Sequence, residues 1–565
     1  MTAHHKPSIP RQHFMTASPT PVPKPTSSSN PNDATANQSS ASTQVTEPPR
    51  AWWRIAMSVG PGLIVAGSIV GSGELIATTK TGAEAGFALL WLIILGCVVK
   101  VFTQIELGRY TLISGRTTLQ ALNEVPGPRI SGRGNWLVWY WVVMWMASIS
   151  QQGGIVGSIG QALTIKAPIT QSGVSNNELA SAEQLLTFDR YAAASLDGDE
   201  SRDLESGDVQ LPIDITESDD FDAREQELAV LRQQHNERHG SSPPPDIIYW
   251  ALLMSAATSG ILVVGRYGLI QSFCTVLVGS FTLLTIVNLV MLQGDTTYRV
   301  TWSEFFAGLR LNLPDTPGTE STARPIATAL ATFGIIGVGA AELVTYPYWC
   351  LEKGYARFTG TNDGSESWRA RASGWMRVMQ VDAWGSMVVY TFATIAFYLL
   401  GAAVLYRIGL NPEKSEMVRI LAVMFVPVFS DWASSIFLFG AIAVLYSTFF
   451  VANSSHARVF SDALRVMGVI APDEMTRRKW VRRLSGLFPI LGFLIYVAFP
   501  NPAQLVLISG VAQGIMLPML GGAALFFRYR RCLDELRPGH IWDAMLWLSA
   551  LAMLVTGAWT VWSRF

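Results

Sequence analysis

Long runs of apolar residues, each separated from the next by a polar or basic loop, recur from Ala51 to the C-terminus. Each is about 20 residues or more, the length a helix needs to cross roughly 30 Å of hydrocarbon. The pattern predicts eleven transmembrane helices, spans 1 to 11, with approximate limits 55–80, 86–110, 136–164, 247–265, 267–293, 325–350, 380–406, 433–455, 484–500, 502–527 and 542–562. Between spans 7 and 8, Met417 to Trp432 is apolar, too short to cross, and contains Pro427 and Asp431, which predicts an interfacial helix. Residues 1–50 are rich in Pro, Ser, Thr and Asn and nearly free of aliphatic side chains, so they are expected to form a disordered tail. No short apolar core follows the basic residues Lys6, Arg11 and Lys24, so a secretory signal is not expected.

Composition sharpens this reading. The 565 residues are 49% hydrophobic and 15% charged, and the mean hydropathy of +0.29 belongs to an integral membrane protein rather than a soluble globule. A net charge of −1 excludes a nucleic-acid partner held by a net basic surface. Basic residues concentrate in alternate loops: Arg109, Arg116, Arg129 and Arg133 after span 2; Lys353, Arg357, Arg369, Arg371 and Arg377 after span 6; Arg477, Arg478, Lys479, Arg482 and Arg483 before span 9; Arg528, Arg530, Arg531 and Arg537 after span 10. Such loops are retained in the cytoplasm. The N-terminal tail is therefore expected inside and Phe565 outside, in a plasma or inner membrane. Residues 164–246 carry 18 Asp and Glu against 6 Lys and Arg. They read as an acidic extracellular insertion, either a solvated spacer or an antechamber that concentrates cations. Cys97, Cys274, Cys350 and Cys532 lie far apart, without the spacing of a metal site or disulfide framework.

Two spans stand out chemically. Span 1 contains Gly71, Ser72, Gly73, Glu74, Leu75, Ile76, and span 6 contains Gly339, Ala340, Ala341, Glu342, Leu343, Val344, so the pattern G[SA][GA]EL[IV] occurs twice. Five spans separate the two copies. An odd offset gives the halves opposite orientations, the mark of an inverted repeat. The expected organisation is a first repeat over 51–293 including the insertion, a second over 294–530, and span 11 with the C-terminus over 531–565. A carboxylate in hydrocarbon costs several kcal/mol and persists where it faces protein, water or a cation. Small residues weaken the helix and free backbone carbonyls, which are hard oxygen ligands. Glu74 and Glu342 are accordingly the expected metal ligands, with the backbone at Gly71 and Ala340. Ser72, Gly73, Gly339, Ala341, Gln151, Asn453 and Gln513 are expected along the substrate pathway.

Several short motifs carry a resemblance. Gly60, Pro61, Gly62 open span 1; Ala77, Thr78, Gly82, Ala83 follow its small-residue run; Gln104 and Ser114, Gly115, Leu119 mark span 2; Val156, Gly157, Ser158 mark span 3; Gly334 to Gly337 precede the run in span 6; Asn453, Ser454 lie in span 8 and Leu517, Pro518 in span 10. In order and spacing these resemble the natural resistance-associated macrophage protein (Nramp) family of divalent metal transporters over about residues 55–530. The resemblance implies an all-α, leucine-transporter-like fold of five plus five inverted spans with one added, working by alternating access. It also shows what has changed. The family's DPGN break aligns with Gly71, Ser72, Gly73, Glu74, and its MPH with Ala341, Glu342, Leu343, so its usual ligands are absent. Its span 3 acids align with Gln151 and Gly154, which puts a proton path in doubt.

The expected function is secondary transport or uniport of a divalent cation. Loss of the thioether ligand favours a hard ion such as Mg²⁺ or Mn²⁺ that keeps some water. Two rivals stand beside it: a carrier of a small amine or amino acid on the same fold, and a transporter-shaped sensor with little flux. No Ser/His/Asp or HExxH constellation suggests an enzyme. The expected partners are the cation, as substrate rather than cofactor, and the lipid bilayer. Lys100 and Glu106 are expected to serve the cytoplasmic end of span 2.

Overall fold

The computed structural model describes residues 45–563 apart from 63, 65, 66, 68, 69, 131, 200–217, 241–243, 266, 267 and 315–322. Every predicted span is helical there, and the one β-feature among the described residues is an isolated bridge between Arg129 and Asn135. Among the described residues eight helices are long and apolar enough to cross a membrane: Leu90–Ser114, Asp246–Val264, Ala323–Lys353, Glu366–Tyr406, Ala433–Val466, Glu474–Ala498, Pro502–Arg530 and His540–Trp562. These are spans 2, 4 and 6 to 11. Span 1 is interrupted, with helix at Trp52–Ser58, a π-helical turn at Gly73–Thr78 and helix again at Thr79–Ala85. Span 3 divides at Ile149 into Trp136–Ser148 and Ser150–Lys166, and span 5 is Gly268–Met291.

Burial sorts the spans into layers. The apolar windows of spans 2, 6, 7, 8 and 10 are 67–78% buried, whereas those of spans 4, 9 and 11 are 28%, 33% and 39% buried. The first set builds the interior and the second presents side chains to lipid. Glycines bring the inner backbones together, as is usual where helices pack in hydrocarbon. A Cβ on Gly334 of span 6 would overlap the backbone of Gly510 and Gly514 in span 10. Gly82 of span 1 meets the Tyr398 carbonyl in the same way, and Gly401 meets that of Thr79. The start of span 1 is fastened by Asp382 of span 7, whose carboxylate accepts from Gly60 N at 2.9 Å and Gly62 N at 2.5 Å, with the Tyr346 hydroxyl 3.2 Å away.

The basic loops share one face. Arg531 after span 10 lies 3.6 Å from Glu124 after span 2, Arg369 after span 6 pairs with Glu535 at 3.1 Å, and Arg109 donates to the Leu536 carbonyl at 3.1 Å.

Three stretches differ from expectation. The expected tail includes residues 45–50, yet Thr46 N donates to the Phe358 carbonyl and Trp375 Nε1 to the Thr46 carbonyl, which seats this strip on span 7. The tail before Val45 lies outside the described residues. The acidic insertion contains two helices, Gln171–Asp199 and Ser218–His239, that pack together and share an Arg232 to Glu183 hydrogen bond of 3.0 Å. Asp246 fastens its far end to Ile169 and Thr170. Finally, the Met417–Phe425 part of the predicted interfacial stretch is buried in the protein. It folds into short turns whose Met417, Leu421, Met424 and Phe425 are fully buried, held by Gln161 of span 3 and Asn288 of span 5. These side chains face protein instead of lipid, whereas Val426–Phe429 is half-buried and Trp432 is exposed.

Replacing Asp382 with Ala leaves two backbone amides without their acceptor. The folded state in detergent is expected to lose about 1–3 kcal/mol, read as a lower thermal unfolding midpoint; an unchanged midpoint contradicts the anchoring role.

Candidate ion-binding site

Span 1 turns at Val70 and Gly71 and then continues as the π-helical turn Gly73–Thr78. Such turns are strained single-turn features that favour functional positions. Gly71 is required here because a Cβ would overlap the Thr448 side chain of span 8, whose buried hydroxyl has no hydrogen-bond partner. Gly73 brings span 1 against span 6: a Cβ on it would stand 3.3 Å from the Ile335 carbonyl oxygen. Glu74, on this π turn, is fully buried. Its Oε1 accepts from Gly337 N at 3.3 Å and lies 3.3 Å from the Thr394 hydroxyl of span 7. Its Oε2 has no partner.

Span 6 is broken in the matching place. Helix Ala323–Ile335 ends, Ile336 to Val338 form a turn, and helix Ala340–Lys353 begins after Gly339. Gly337 holds φ at +54°, where a Cβ would also come within 2.9 Å of the Cys97 Cα. The carbonyls freed by the break belong to the first half-helix, and two of them are already engaged. Lys100 of span 2 is fully buried, donates 2.7 Å to the Phe333 carbonyl and 2.6 Å to the Ile336 carbonyl, and sits 4.9 Å from the centre of the Phe333 ring. It therefore caps the break rather than the cytoplasmic end of span 2. Glu106 does pair near that end, with Arg109 at 3.1 Å. Two backbone expectations also change. Ala340 is the first residue of the second half-helix, so its open group is the amide, not the carbonyl. The Gly71 carbonyl already accepts from Leu75 N at 2.8 Å, leaving it one lone pair.

Glu342 lies in the first turn of the second half-helix, where a negative charge is favoured by the helix dipole. Its Oε2 folds back toward Gly339, a Cβ on which would stand 2.6 Å away. The half-buried side chain borders a small cavity of about 20 Å³ with Ala341, Thr345, Trp349, Ala452, Ser455 and His456, room for about one water. The ring of His456 is fixed there by Trp145 Nε1, 2.9 Å from Nδ1.

A polar chain links the two breaks. Gln151 of span 3 donates to the Ser72 hydroxyl at 3.0 Å, and its Oε1 accepts from Gln513 and Ser509 of span 10 at 3.0 and 3.1 Å. Gln513 Oε1 in turn accepts from Ala341 N at 3.0 Å. Ser72, Gln151, Gln513 and Ala341 are thus brought together, next to Gly73 and Gly339. Asn453 is not part of this chain; it donates to Gln152 at 2.9 Å and to the Phe449 carbonyl at 2.7 Å. Among the described residues no three His, Cys, Asp or Glu side chains gather as metal ligands. The donors around the span 1 turn are oxygens: the free Glu74 Oε2, the Thr448 hydroxyl and the Ile335 carbonyl.

A family model described as natural resistance-associated macrophage protein-like matches residues 242–563. The chain belongs to the Nramp-like family. Among curated relatives, the metal transporter Nramp3.2 of Populus trichocarpa is 27% identical over 131 residues, 23% of this chain and 24% of the relative. The metal transporter Nramp3 of Arabidopsis thaliana is 26% identical over 121 residues, 21% of this chain and 22% of the relative. The chain thus spans about a quarter of the length of the curated relatives it matches. Two solved structures of mutants of the manganese transporter of Eremococcus coleocola share the fold. One superposes with a TM-score of 0.53 at 14% identity, covering 91% of this chain and 88% of that one; the other gives 0.51 at 13% with the same coverage. This Nramp-like chain accordingly has the leucine-transporter-like, inverted-repeat fold and is a multi-pass integral membrane protein.

Lys100 carries a signal in the sequence too, since a lysine in the middle of an apolar span marks function. Thr394 and Thr448 gave no signal, being ordinary span residues. Substituting Leu for Gln151 leaves Ser72, Ser509 and Gln513 short of partners. A stability loss of about 1–3 kcal/mol is expected in detergent melts; a variant as stable as the parent contradicts the role of this chain in joining the two breaks.

Proposed function

We propose that this Nramp-family protein carries a divalent metal cation across the bilayer by alternating access, with Glu74 and Glu342 as its anionic ligands. The observation that carries the reading is Glu74 Oε2, a fully buried carboxylate oxygen without a partner at the turn of a broken helix. A free charge in that position is costly, and a passing cation removes the cost. The oxygen donors around the turn and the loss of the thioether that the family resemblance places in span 6 favour a hard ion, Mg²⁺ or Mn²⁺, that keeps part of its water. The remaining ligands are the Ile335 carbonyl, the Thr448 hydroxyl and the second lone pair of the Gly71 carbonyl. The N-terminus is cytoplasmic and the C-terminus outside, in a plasma or inner membrane.

Access from two sides has a physical counterpart in the charges. Away from the basic loops, Lys80 and Glu84 of span 1, Arg324 of span 6 and Glu413 of the loop after span 7 form one ion-pair cluster, including Lys80 to Glu84 and Lys80 to Glu413 at 2.9 Å. They line a vestibule of about 350 Å³. Toward the basic face, Glu342 borders its own small cavity. We assign the first as the closed outer gate and the second as the start of the inner exit.

Purified protein in liposomes is expected to take up Mg²⁺ or Mn²⁺. Glu74→Gln and Glu342→Gln are each expected to lower the initial rate by about tenfold or more. Uptake unchanged in both variants, or uptake and thermal protection by small amines but by no divalent ion, overturns the metal reading.

A further inference from the structure

The hydrogen bonds of Glu74 and Lys100 end on one peptide group. Glu74 Oε1 accepts the N–H of Gly337, and Lys100 Nζ donates to the carbonyl of Ile336, the other end of the same amide. A carboxylate from span 1 and an ammonium from span 2 therefore grip opposite poles of the peptide at the centre of the span 6 break. Both side chains are fully buried. The Phe333 carbonyl, 2.7 Å away, adds a second oxygen to the ammonium, and the Phe333 ring adds a π face. Freed carbonyls at the C-terminal end of an interrupted helix are the kind of group that binds a co-transported cation in carriers with broken helices. Here an amine fixed to the protein occupies them.

This arrangement answers a problem of charge. When a divalent cation is bound, its two charges balance Glu74 and Glu342; in the empty carrier Glu342 keeps the helix N-terminus and the small cavity beside it, whereas Glu74 Oε2 has no partner. When the carrier is empty, a buried carboxylate must still be balanced if the protein is to move between its two faces, because an uncompensated charge in hydrocarbon raises the barrier. We propose that Lys100 is a resident cation that takes the place of a co-transported one: through the Ile336–Gly337 peptide it balances Glu74 in the empty carrier, which then returns without a second ion. The inference rests on the transport reading above and adds to it the stoichiometry. It also assigns Gly337 its purpose, since the peptide that presents its N–H to span 1 and its carbonyl to span 2 is followed by a left-handed φ of +54°, which favours glycine.

The test separates the empty step from the loaded ones. Mn²⁺ serves as the probe, with the full chain in proteoliposomes. Net uptake into metal-free vesicles requires the empty carrier to return, whereas exchange into vesicles preloaded with unlabelled Mn²⁺ does not. Lys100→Met is expected to lower the ratio of net uptake to exchange by at least about tenfold, and Lys100→Arg, which keeps the charge, to restore most of that ratio. Wild-type net uptake is expected to be the same in sodium, potassium and choline chloride. Net uptake and exchange falling together in Lys100→Met, or neither changing, overturns the inference while leaving the transport reading in place. So does wild-type uptake that requires one monovalent cation, a comparison that decides the matter even where Lys100→Met does not fold. Absence of both Mn²⁺ fluxes in the wild type defeats the transport reading and the inference with it.

Discussion

One peptide group, Ile336–Gly337, is held from both sides by buried ions, and the centre of the molecule is arranged around it. Without the break in span 6 the amide would belong to a helix and would be offered to neither Glu74 nor Lys100. Without those two side chains the break would expose unpaired backbone in hydrocarbon, which the bilayer does not permit. The glycines follow from the same constraint. Gly71 and Gly73 let span 1 approach Thr448 and the Ile335 carbonyl, and Gly337 takes the left-handed conformation that turns the amide toward Glu74. The polar chain from Ser72 through Gln151 and Gln513 to Ala341 N then ties the two interrupted helices at a second point.

The distribution of charge gives the site its chemistry. Two carboxylates, one fully buried and one at the edge of a cavity, stand near a fixed ammonium, and the other donors are neutral oxygens. In the proposed site these oxygens would discriminate by charge density and hydration more than by polarisability. Glutamine at 151, where the family resemblance places an acid, is not a vacant position. It has become a structural joint between spans 1, 3 and 10, and its amide supplies both a donor and an acceptor that a carboxylate would not.

Much of this was legible from the order of residues, because a bilayer demands about 20 apolar residues for every crossing and leaves long, unmistakable runs. The two interruptions were legible for a related reason: a carboxylate beside small residues, repeated at a five-span offset, has few stable environments in hydrocarbon. Lys100 was harder to place. Its partners are backbone carbonyls 233 and 236 residues away, and carbonyls have no side-chain signature. For the same reason the usable carbonyls were assigned to Ala340 rather than to the preceding half-helix. The charge of the insertion fits a solvated spacer or a cation-concentrating antechamber and does not by itself announce its two helices, but Glu, Gln, Ala, Leu and Arg are also strong helix formers, and two polar helices need little apolar surface to lie against one another. Met417–Phe425 shows the opposite limit, since apolar composition does not distinguish burial in lipid from burial in protein.

The most direct examination of the central claim is anomalous diffraction from crystals of the protein grown or soaked with Mn²⁺. The account predicts a Mn²⁺ peak bonded to Glu74 Oε2, beside the turn at Gly71 and the end of the first half of span 6, with Lys100 still on the Ile336 carbonyl. A Mn²⁺ peak elsewhere in the protein, with Glu74 Oε2 unligated, would contradict it.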